Sequence, residues 1–395
     1  MSDIVDLVGG AEKVLCNMAN ELTLRGHQVT VVCNDIKQGL PFYPLMKEVN
    51  FINLDGSGCK KRYSRIKKIV REATRPLRKT ALYPLFPDPV EHQKVREFNP
   101  LFRRVISSVK PDIIISHCLF DHCLVVKTIG HDHPLMLMHH SNPHFMLLGA
   151  SFDILHSLRR CDCLQLLLPG YEKEVRKALP WVKTQVIPNT VPIVEDRYLA
   201  KQGGNKDKYV IAMIANLKQI KQQHLLIQAF AHLAKEYPQW KVHFYGSGND
   251  LRYKNYLEAL ICKHDLQNQV FLMGTTDKPL DMLRESDIFA FPTAFEGFPL
   301  ALTEAMAVGL PCIGLKTALG VNELIIDGYN GLLSDNNEFD FAQKLKQLMD
   351  NPQLRATMGR NGHEFVKQFE PKKIWDQWEN LIIETVQQFR QHKAA

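Results

Sequence analysis

The sequence has no apolar run that approaches the roughly 18–20 residues needed for a transmembrane helix. Its first residues, Met-Ser-Asp-Ile-Val-Asp, do not place an apolar segment after a basic one, so no secretory signal is expected. Internal repeats and low-complexity tracts are also missing. The nine cysteines are odd in number and show no recurring spacing, which indicates reduced thiols rather than a disulfide framework. These absences predict a cytoplasmic protein.

The length and composition are those of a globular protein with more than one core. At 395 residues the chain is too long for one ordinary hydrophobic core, so two domains are expected. Hydrophobic residues make up 45% and charged residues 23%, as is usual for globular chains. The net charge of +7 is modest, and its distribution is more informative than its size.

The positive charge is concentrated between residues 60 and 79, where the only acid is Glu72. The basic residues of this segment are Lys60, Lys61, Arg62, Arg65, Lys67, Lys68, Arg71, Arg75, Arg78 and Lys79. A solvent-exposed helix face or a mobile loop would explain them. The alternative that we favour for Lys60 to Lys68 is contact with an acceptor or an anionic membrane surface. Nucleic acid is not predicted, because no nucleic-acid motif accompanies the charge.

The stretch from 287 to 312 predicts a strand, a loop and a helix in immediate succession. The apolar run Asp287–Phe291 is short enough to be a buried strand, and Glu296 lies in the loop that follows it. Pro299 suits the first turn of a helix, because a proline's missing N–H is not needed there. Leu300 to Val308 is strongly helical, and Gly309 is placed to end the helix.

This arrangement suits a ligand that carries both phosphate and hydroxyl groups. The start of a helix presents unpaired N–H groups to an anion. Glu296 and Glu304 are eight residues apart, which leaves both near one face. Carboxylates accept hydrogen bonds from paired hydroxyls, so a sugar nucleotide fits. The alternative is a buried helix whose glutamates cap it or face solvent.

Strands and helices alternate twice over, which predicts two doubly wound α/β domains that face one cleft. Two predicted strands end at histidines, His117 and His140, and ligands of parallel sheets lie beyond the carboxyl ends of strands. Each histidine can instead be satisfied by backbone groups. The histidines and cysteines from 117 to 144 lack zinc-ligand spacing, so no metal site is predicted.

The motif Glu-Gly-Phe-Pro-Leu-x3-Glu-Ala-Met-Ala-x-Gly-x-Pro from Glu296 to Pro311 resembles the signature of the family 4 retaining glycosyltransferases, which have the two-domain GT-B fold. Gly9-Gly10-Ala11-Glu12, His140-Ser141-Asn142 and Ile187-Pro188-Asn189 resemble other passages of that family, in the same order. The resemblance covers nearly the whole chain. It implies an amino-terminal acceptor domain over 1–195, a nucleotide-sugar domain over 205–370, and a last helix over 371–395 that returns to the first domain.

The resemblance also implies roles for individual residues. Glu296 would bind donor-sugar hydroxyls, Glu304 the ribose and Lys221 the diphosphate, with His140 beside the sugar. The residues expected at the donor are Gly10, Asn216, Lys221, Gly246, Glu296, Gly297, Phe298, Pro299, Leu300 and Glu304. Those expected to be catalytic are His140, Glu296 and Lys221, and His117 is expected on the acceptor side.

The sequence departs from the family pattern at three places. Asn216 stands where an arginine is usual, and Gln222 replaces a glycine; Lys218 is a candidate to supply the missing charge. The family begins with an apolar strand of about six residues, whereas few apolar residues precede Gly9 here. That strand is therefore expected to be shortened, or to lie upstream.

The expected reaction is transfer of a hexose or N-acetylhexosamine, with retention, from a nucleotide diphosphate sugar that is UDP-linked. The expected acceptor is a lipopolysaccharide or lipid-linked glycan at the inner face of the cytoplasmic membrane. Asp-x-Asp is absent, so we predict metal independence and no cofactor. Two alternatives remain: a sugar-nucleotide epimerase or phosphorylase on the same fold, and a non-catalytic sugar-nucleotide-binding protein.

Overall fold

The structure is a computed structural model that describes residues 4–5, 9–58, 64–80, 82, 85–86, 88–200 and 207–394, without the side chain of residue 145. The chain divides into two compact units. The first comprises Met1–Pro188 with Trp375–Ala395, and the second comprises Asn189–Ile374. The polar segment 196–208, which contains Gly203-Gly204 and predicts a linker, lies within the second unit, beyond the boundary at Pro188. Residues 201–206 of that linker are outside the described ranges.

The first unit contains short parallel strands and the helices that connect them. Its strands are β1 Thr30–Cys33, β2 Asn50–Asn53, β3 Ile114–Ser116, β4 Leu135–Met138, β5 Cys163–Leu166 and β6 Thr184–Val186. Its first seven helices are α1 Gly10–Leu24, α2 Arg65–Thr74, α3 Pro89–Val109, α4 Leu119–Ile129, α5 Pro143–Gly149, α6 Phe152–Ser157 and α7 Pro169–Ala178. All residues of β4 and β5 are buried, as expected for strands covered on both faces.

The described strands of the first unit form two parallel sheets. One sheet is β1-β2, and the other has the order β3-β4-β5-β6. A cavity of about 1820 Å³ is lined by residues of both β1 and β3. The family's first strand was expected shortened or upstream; residues 6–8 lie outside the described ranges. Ile4 and Val5 donate their N–H groups to Asp35 Oδ2 at 2.9 Å, beyond the end of β1.

The second unit is a single six-stranded parallel sheet with helices. Its strands are β7 Tyr209–Ile214, β8 Trp240–Tyr245, β9 Val270–Gly274, β10 Ile288–Phe291, β11 Cys312–Leu315 and β12 Gly331–Ser334. Its helices are α8 Gln223–Ala231, α9 Leu251–Lys263, α10 Pro279–Arg284, α11 Leu300–Ala307, α12 Glu338–Asp350 and α13 Pro352–Val366. The strand order is β12-β11-β10-β7-β8-β9. Strands after β7 are added on one side of it up to β9 and on the other side from β10 onward, so the order of strands reverses between β7 and β10.

The last helix, α14 Pro371–Ala394, belongs to the first unit from Trp375 onward. Trp378, Leu381 and Ile382, which recur at helical spacing, are buried. Arg25 of α1 bonds two acids of this helix, Asp376 at 2.7 Å and Glu379 at 2.8 Å. The return of the last helix to the first domain, predicted from the resemblance, is therefore present.

Candidate functional site

The second unit places two predicted site residues at its topological switch point. In a doubly wound sheet, ligands bind beyond the carboxyl ends of the two strands where the order reverses. These strands are β7 and β10, which pair in parallel through Ile211 and Ile288. The segment after β7 leads to Lys221, and the segment after β10 leads to Glu296. Sheet topology alone therefore selects the two loops that the motifs had selected.

Lys221 and Glu296 form a direct ion pair. Lys221 Nζ lies 2.5 Å from Glu296 Oε1, and the side chains are only 22% and 13% exposed. The pair places a cation and a carboxylate side by side beyond the carboxyl ends of β7 and β10. Such a pair can divide its work on a sugar nucleotide, with the ammonium on phosphate oxygens and the carboxylate on hydroxyls.

Backbone and side-chain contacts tie the two loops together around this pair. Ala294 N–H donates to Ile220 O at 2.9 Å. The buried Thr293 donates its hydroxyl to Phe295 O at 3.0 Å, which shapes the turn that leads to Glu296. The relative position of the cation and the carboxylate is therefore set by loop-to-loop hydrogen bonds.

Gln222 adopts the backbone conformation of the glycine that it replaces. Its φ and ψ are 52° and 39°, in the left-handed region that costs most residues about 1–2 kcal/mol. Its side-chain amide donates to Pro292 O at 3.1 Å, which links the loop after β7 to the end of β10. The substitution noted in the sequence thus preserves the turn and adds a contact to the other loop.

Helix α11 follows the second loop as the sequence predicts. Pro299 is the residue before its first turn, and Gly309, at φ 79°, ends it with a bond from its N–H to Met306 O. Glu304 lies on this helix and is only 8% exposed. Phe298 is buried, and its ring packs edge-on against Phe369 at 5.4 Å. The side chain of Phe298 therefore anchors the loop that contains Gly297, ahead of Leu300.

Asn216 and Gly246 shape the neighbouring strand ends. Asn216 Oδ1 accepts the Ser247 N–H at 3.1 Å, so this side chain joins the segments after β7 and β8. Gly246 has φ 154°, and a Cβ at this position would lie 2.0 Å from Ala215 O. Lys218, the candidate to replace the missing arginine charge, is exposed. No sequence pattern predicts the link between Asn216 and Ser247.

In the first unit, Gly10 is the first residue of α1, as the glycine pair predicts. The preceding Gly9 is closely covered by the carboxylate of Glu12, which would lie 2.1 Å from a Cβ at Gly9. Burial raises the pKa of Glu12 despite its own backbone hydrogen bond. The start of α1 therefore combines two glycines, which carry no side chain, with a carboxyl group whose pKa is raised.

The strand-end histidines His117 and His140 are in direct contact. His117 Nδ1 lies 3.0 Å from His140 Nε2, and the rings stack with centroids 5.2 Å apart. Burial, reinforced by the neighbouring imidazole, lowers the pKa of His117 well below its usual range. Burial also lowers the pKa of His140 to about 4. At neutral pH the two uncharged rings share one N–H between them, which orients both.

His139 differs from its neighbour. It is 8% exposed and its Nε2 lies 3.3 Å from Ser141 Oγ. Burial lowers its pKa to about 4. The pairing with His117 thus distinguishes His140 as the histidine whose ring spans two strand ends.

One group in the described part of the chain brings three possible metal ligands together, at Glu91, Cys123 and Asp153. The Lys127 ammonium forms ion pairs with Glu91 and, at 2.9 Å, with Asp153. This lysine supplies the positive charge that the two carboxylates require. The group lies where α3, α4 and α6 pack together, since Asp153 belongs to α6.

The predicted basic segment is described only in part. Lys60, Lys61 and Arg62 lie outside the described residues, whereas Arg65, Lys67 and Lys68 belong to α2. Among the helices that the structure describes, none combines the length and apolarity that a membrane span requires.

Comparison with known proteins gives consistent matches. Residues 8–194 match the family described as Glycosyltransferase Family 4, and residues 194–365 match Glycosyl transferases group 1. A glycosyltransferase of Haemophilus influenzae, itself uncharacterized, is 25% identical over 380 residues, which are 95% of this chain and 96% of that protein.

A second relative and a solved structure carry more informative names. The Escherichia coli UDP-Gal:alpha-D-GlcNAc-diphosphoundecaprenol alpha-1,3-galactosyltransferase is 28% identical over 244 residues, 58% of this chain and 62% of that protein. The structure of Anabaena HepE in complex with UDP and glucose is 18% identical, with a TM-score of 0.69 over 97% of this chain and 98% of that one. The fold likeness confirms the predicted GT-B class. The chain belongs to the family 4, group 1 glycosyltransferases.

Proposed function

We propose that this glycosyltransferase moves a hexose or N-acetylhexosamine, with retention at the anomeric carbon, from a UDP-sugar to a lipid-linked or lipopolysaccharide glycan. The observation that carries the proposal is the Lys221–Glu296 pair at the switch point, 2.5 Å apart. The name of the E. coli relative, which acts on a diphosphoundecaprenol-linked sugar, supports a lipid-linked acceptor. The UDP in the HepE structure supports the base.

The donor is held by the second unit in this proposal. The Lys221 ammonium and the N–H groups at the start of α11, at Leu300, take the diphosphate. Glu296 accepts hydrogen bonds from sugar hydroxyls, and Glu304 accepts them from the ribose. Asn216, Gly246, Gly297, Phe298 and Pro299 contribute by shaping the strand ends and the loop around the donor.

The transfer step needs no protein nucleophile. The bond from the anomeric carbon to the β-phosphate oxygen breaks, and a bond to the acceptor hydroxyl oxygen forms on the same face. The departing phosphate oxygen takes the acceptor proton, and UDP leaves. Lys221 and the start of α11 stabilise the negative charge that develops on the diphosphate, so we propose that no metal ion or other cofactor is required.

The first unit supplies the acceptor side. We propose that Gly10, at the start of α1, lets the backbone approach the donor, and that His140 contacts the donor sugar. His117 faces the acceptor, and its contact with His140 at 3.0 Å couples the two substrates. Because burial keeps both rings uncharged at neutral pH, the pair offers one acceptor and one donor nitrogen to hydroxyl groups.

Calorimetry in the presence of a chelator tests the donor site first. UDP, GDP, UDP-hexoses and UDP-N-acetylhexosamines are titrated into the wild type, Glu304→Ala and Glu304→Gln. The glutamine variant keeps the volume of this buried side chain if alanine disturbs folding. Glu258→Ala, an exposed glutamate of the same unit paired with Lys254, is the matched control.

We expect one UDP-sugar to bind without metal, and loss of the Glu304 contact to cost about 2–4 kcal/mol in kcat/KM, or about 30- to 900-fold. An unchanged kcat/KM would remove Glu304 from the site. Conversion of the donor without any acceptor would favour an epimerase. Binding without transfer to any lipid-linked acceptor would favour a non-catalytic protein.

A further inference from the structure

Helix α2 is amphipathic, yet its apolar side faces outward. Ile66, Ile69, Val70 and Ala73 recur at the spacing of one helical face. Ile66 is 74% exposed, Ile69 67% and Val70 42%, and no residue of the helix is buried. An amphipathic helix on a globular protein ordinarily turns this face toward the core. We call the face formed by these four residues the outer face of α2.

The orientation of the helix is fixed by polar contacts on its opposite side. Lys67 Nζ donates to Gln93 Oε1 at 2.7 Å, and Arg71 Nε lies 3.2 Å from Asp88 Oδ2. The buried Arg78 pairs with the same Asp88 and donates to the Arg71 carbonyl. These bonds hold the polar side of α2 against α3. The outward direction of the apolar face is therefore a property of the folded unit.

Further exposed apolar residues follow the helix in the chain. In the segment that follows α2, Leu77 is 36% exposed, Leu82 50% and Leu85 72%. Lys79 Nζ donates to Leu148 O at 3.1 Å, which brings the end of α5, with Leu148 exposed at 62%, beside this segment. The segment after α2 and the end of α5, which meet at this bond, therefore both present exposed apolar residues, as interaction surfaces do.

The border of this surface is basic. Arg65, Lys68 and Arg75 are exposed, and the only acid of the helix, Glu72, lies 3.3 Å from Arg75 and is neutralised by it. Basic borders with apolar centres suit an anionic bilayer, where long basic side chains reach the headgroups while the apolar face enters the acyl boundary. A second copy of this face would oppose like charges.

We infer that the outer face of α2 docks the protein on an anionic phospholipid surface, with α2 lying in the plane of the membrane and Ile66 and Ile69 inserted. The inference deepens the proposed function and rests on it, because a lipid-linked acceptor must be met at a membrane. Basic charge alone would give a loose electrostatic contact. The exposed isoleucines add insertion of apolar side chains into the bilayer, and this part of the binding is not screened by salt.

The test uses the full chain and vesicles of phosphatidylglycerol mixed with phosphatidylcholine, compared with phosphatidylcholine alone, at low and high salt. Ile66→Ser with Ile69→Ser removes insertion, and Arg65→Gln with Lys68→Gln removes charge. Leu24→Ser is the matched control, because Leu24 is 68% exposed on α1 of the same unit. UDP binding is measured for every variant, so that loss of the donor site is recognised separately from loss of docking.

We expect the wild type to sediment with anionic vesicles and to be partly retained at high salt. The isoleucine variant should bind at least ten-fold more weakly at both salt concentrations, and the charge variant about five-fold more weakly per residue at low salt. The control and all UDP affinities should be unchanged. Equal vesicle binding by wild type and isoleucine variant, or equal binding to neutral vesicles, would overturn the inference. So would a dimer that the isoleucine variant dissolves, since the face would then join two copies.

Discussion

Replacing Glu296 by glutamine should change UDP binding and sugar transfer in opposite directions. The Lys221 ammonium is engaged by Glu296 at 2.5 Å. UDP offers phosphate oxygens to Lys221 but lacks the transferred sugar, whose hydroxyls are the ligands proposed for Glu296. Glutamine keeps the size of the side chain and removes its charge. The lysine is then fully available to the diphosphate, and one negative charge near that diphosphate is gone.

The magnitude follows from the value of one charge-assisted hydrogen bond, about 1.5–3 kcal/mol. If the wild-type lysine divides this contact between carboxylate and phosphate, freeing it yields about 1 kcal/mol, or about five-fold tighter UDP binding. Transfer loses the charged acceptor for sugar hydroxyls, a contact of the same class. We therefore expect kcat/KM to fall by about 10- to 150-fold.

Calorimetry with UDP and steady-state kinetics with the preferred UDP-sugar measure the two effects on the same preparations. Glu236→Gln is the matched control, because Lys346 pairs with Glu236 at 2.6 Å on the exposed surface of the same unit. Lys221→Met should weaken UDP binding, and Glu296→Gln should improve affinity less in that background than in the wild type, because only the removal of a negative charge remains. UDP binding that is unchanged or weaker in Glu296→Gln alone would refute the assigned division of work between the two side chains.

Two further results are expected. Burial lowers the pKa of His122 and His139 from 6.5 to about 4, so the unfolded chain binds protons at these histidines first as pH falls. The free energy of unfolding should therefore decrease between about pH 6.5 and 4, by up to about 3 kcal/mol per histidine. Urea unfolding of His122→Asn across this range should show a shallower decrease. Gly246→Ala should destabilise the second unit by about 1–3 kcal/mol in thermal unfolding, because the new Cβ would meet Ala215 O at 2.0 Å. Gly248→Ala should cost little, because its nearest neighbours would be the flexible Lys254 side chain at 3.1 Å and Leu217 at an ordinary 3.6 Å.

The second unit was the more predictable of the two from sequence. Its strands are continuous apolar runs, as in β10 and β11, whose residues are all buried, and its helix-ending glycine Gly309 has the expected positive φ. Local signals sufficed there because β10 and β11 are covered on both faces and α11 lies between Pro299 and Gly309. The described sheets of the first unit follow local signals less closely, since β3 and β6 contain only three residues each.

The contacts that organise the site were beyond sequence reasoning. Lys221 and Glu296 are 75 residues apart, and their pairing depends on the sheet order that places β7 beside β10. Gln222 was identified only as a missing glycine. Its left-handed backbone and its bond to Pro292 O show that a non-glycine residue can keep the turn when its side chain is bound elsewhere. Sequence patterns indicate which residues belong to the site, whereas the contacts between them depend on the order of the strands in the sheet.

Helix α2 shows the same limit for a surface. The residues between 60 and 79 are mainly basic, and their charge alone does not tell which side of the helix packs. Which side faces out is decided by Asp88 and Gln93, which lie on the following helix or at its start and bind Arg71 and Lys67. A periodic pattern defines two faces but does not assign them to core or solvent. Because the partners on α3 are polar, the polar side of α2 is the one that packs, and the apolar side is left for a surface outside the unit.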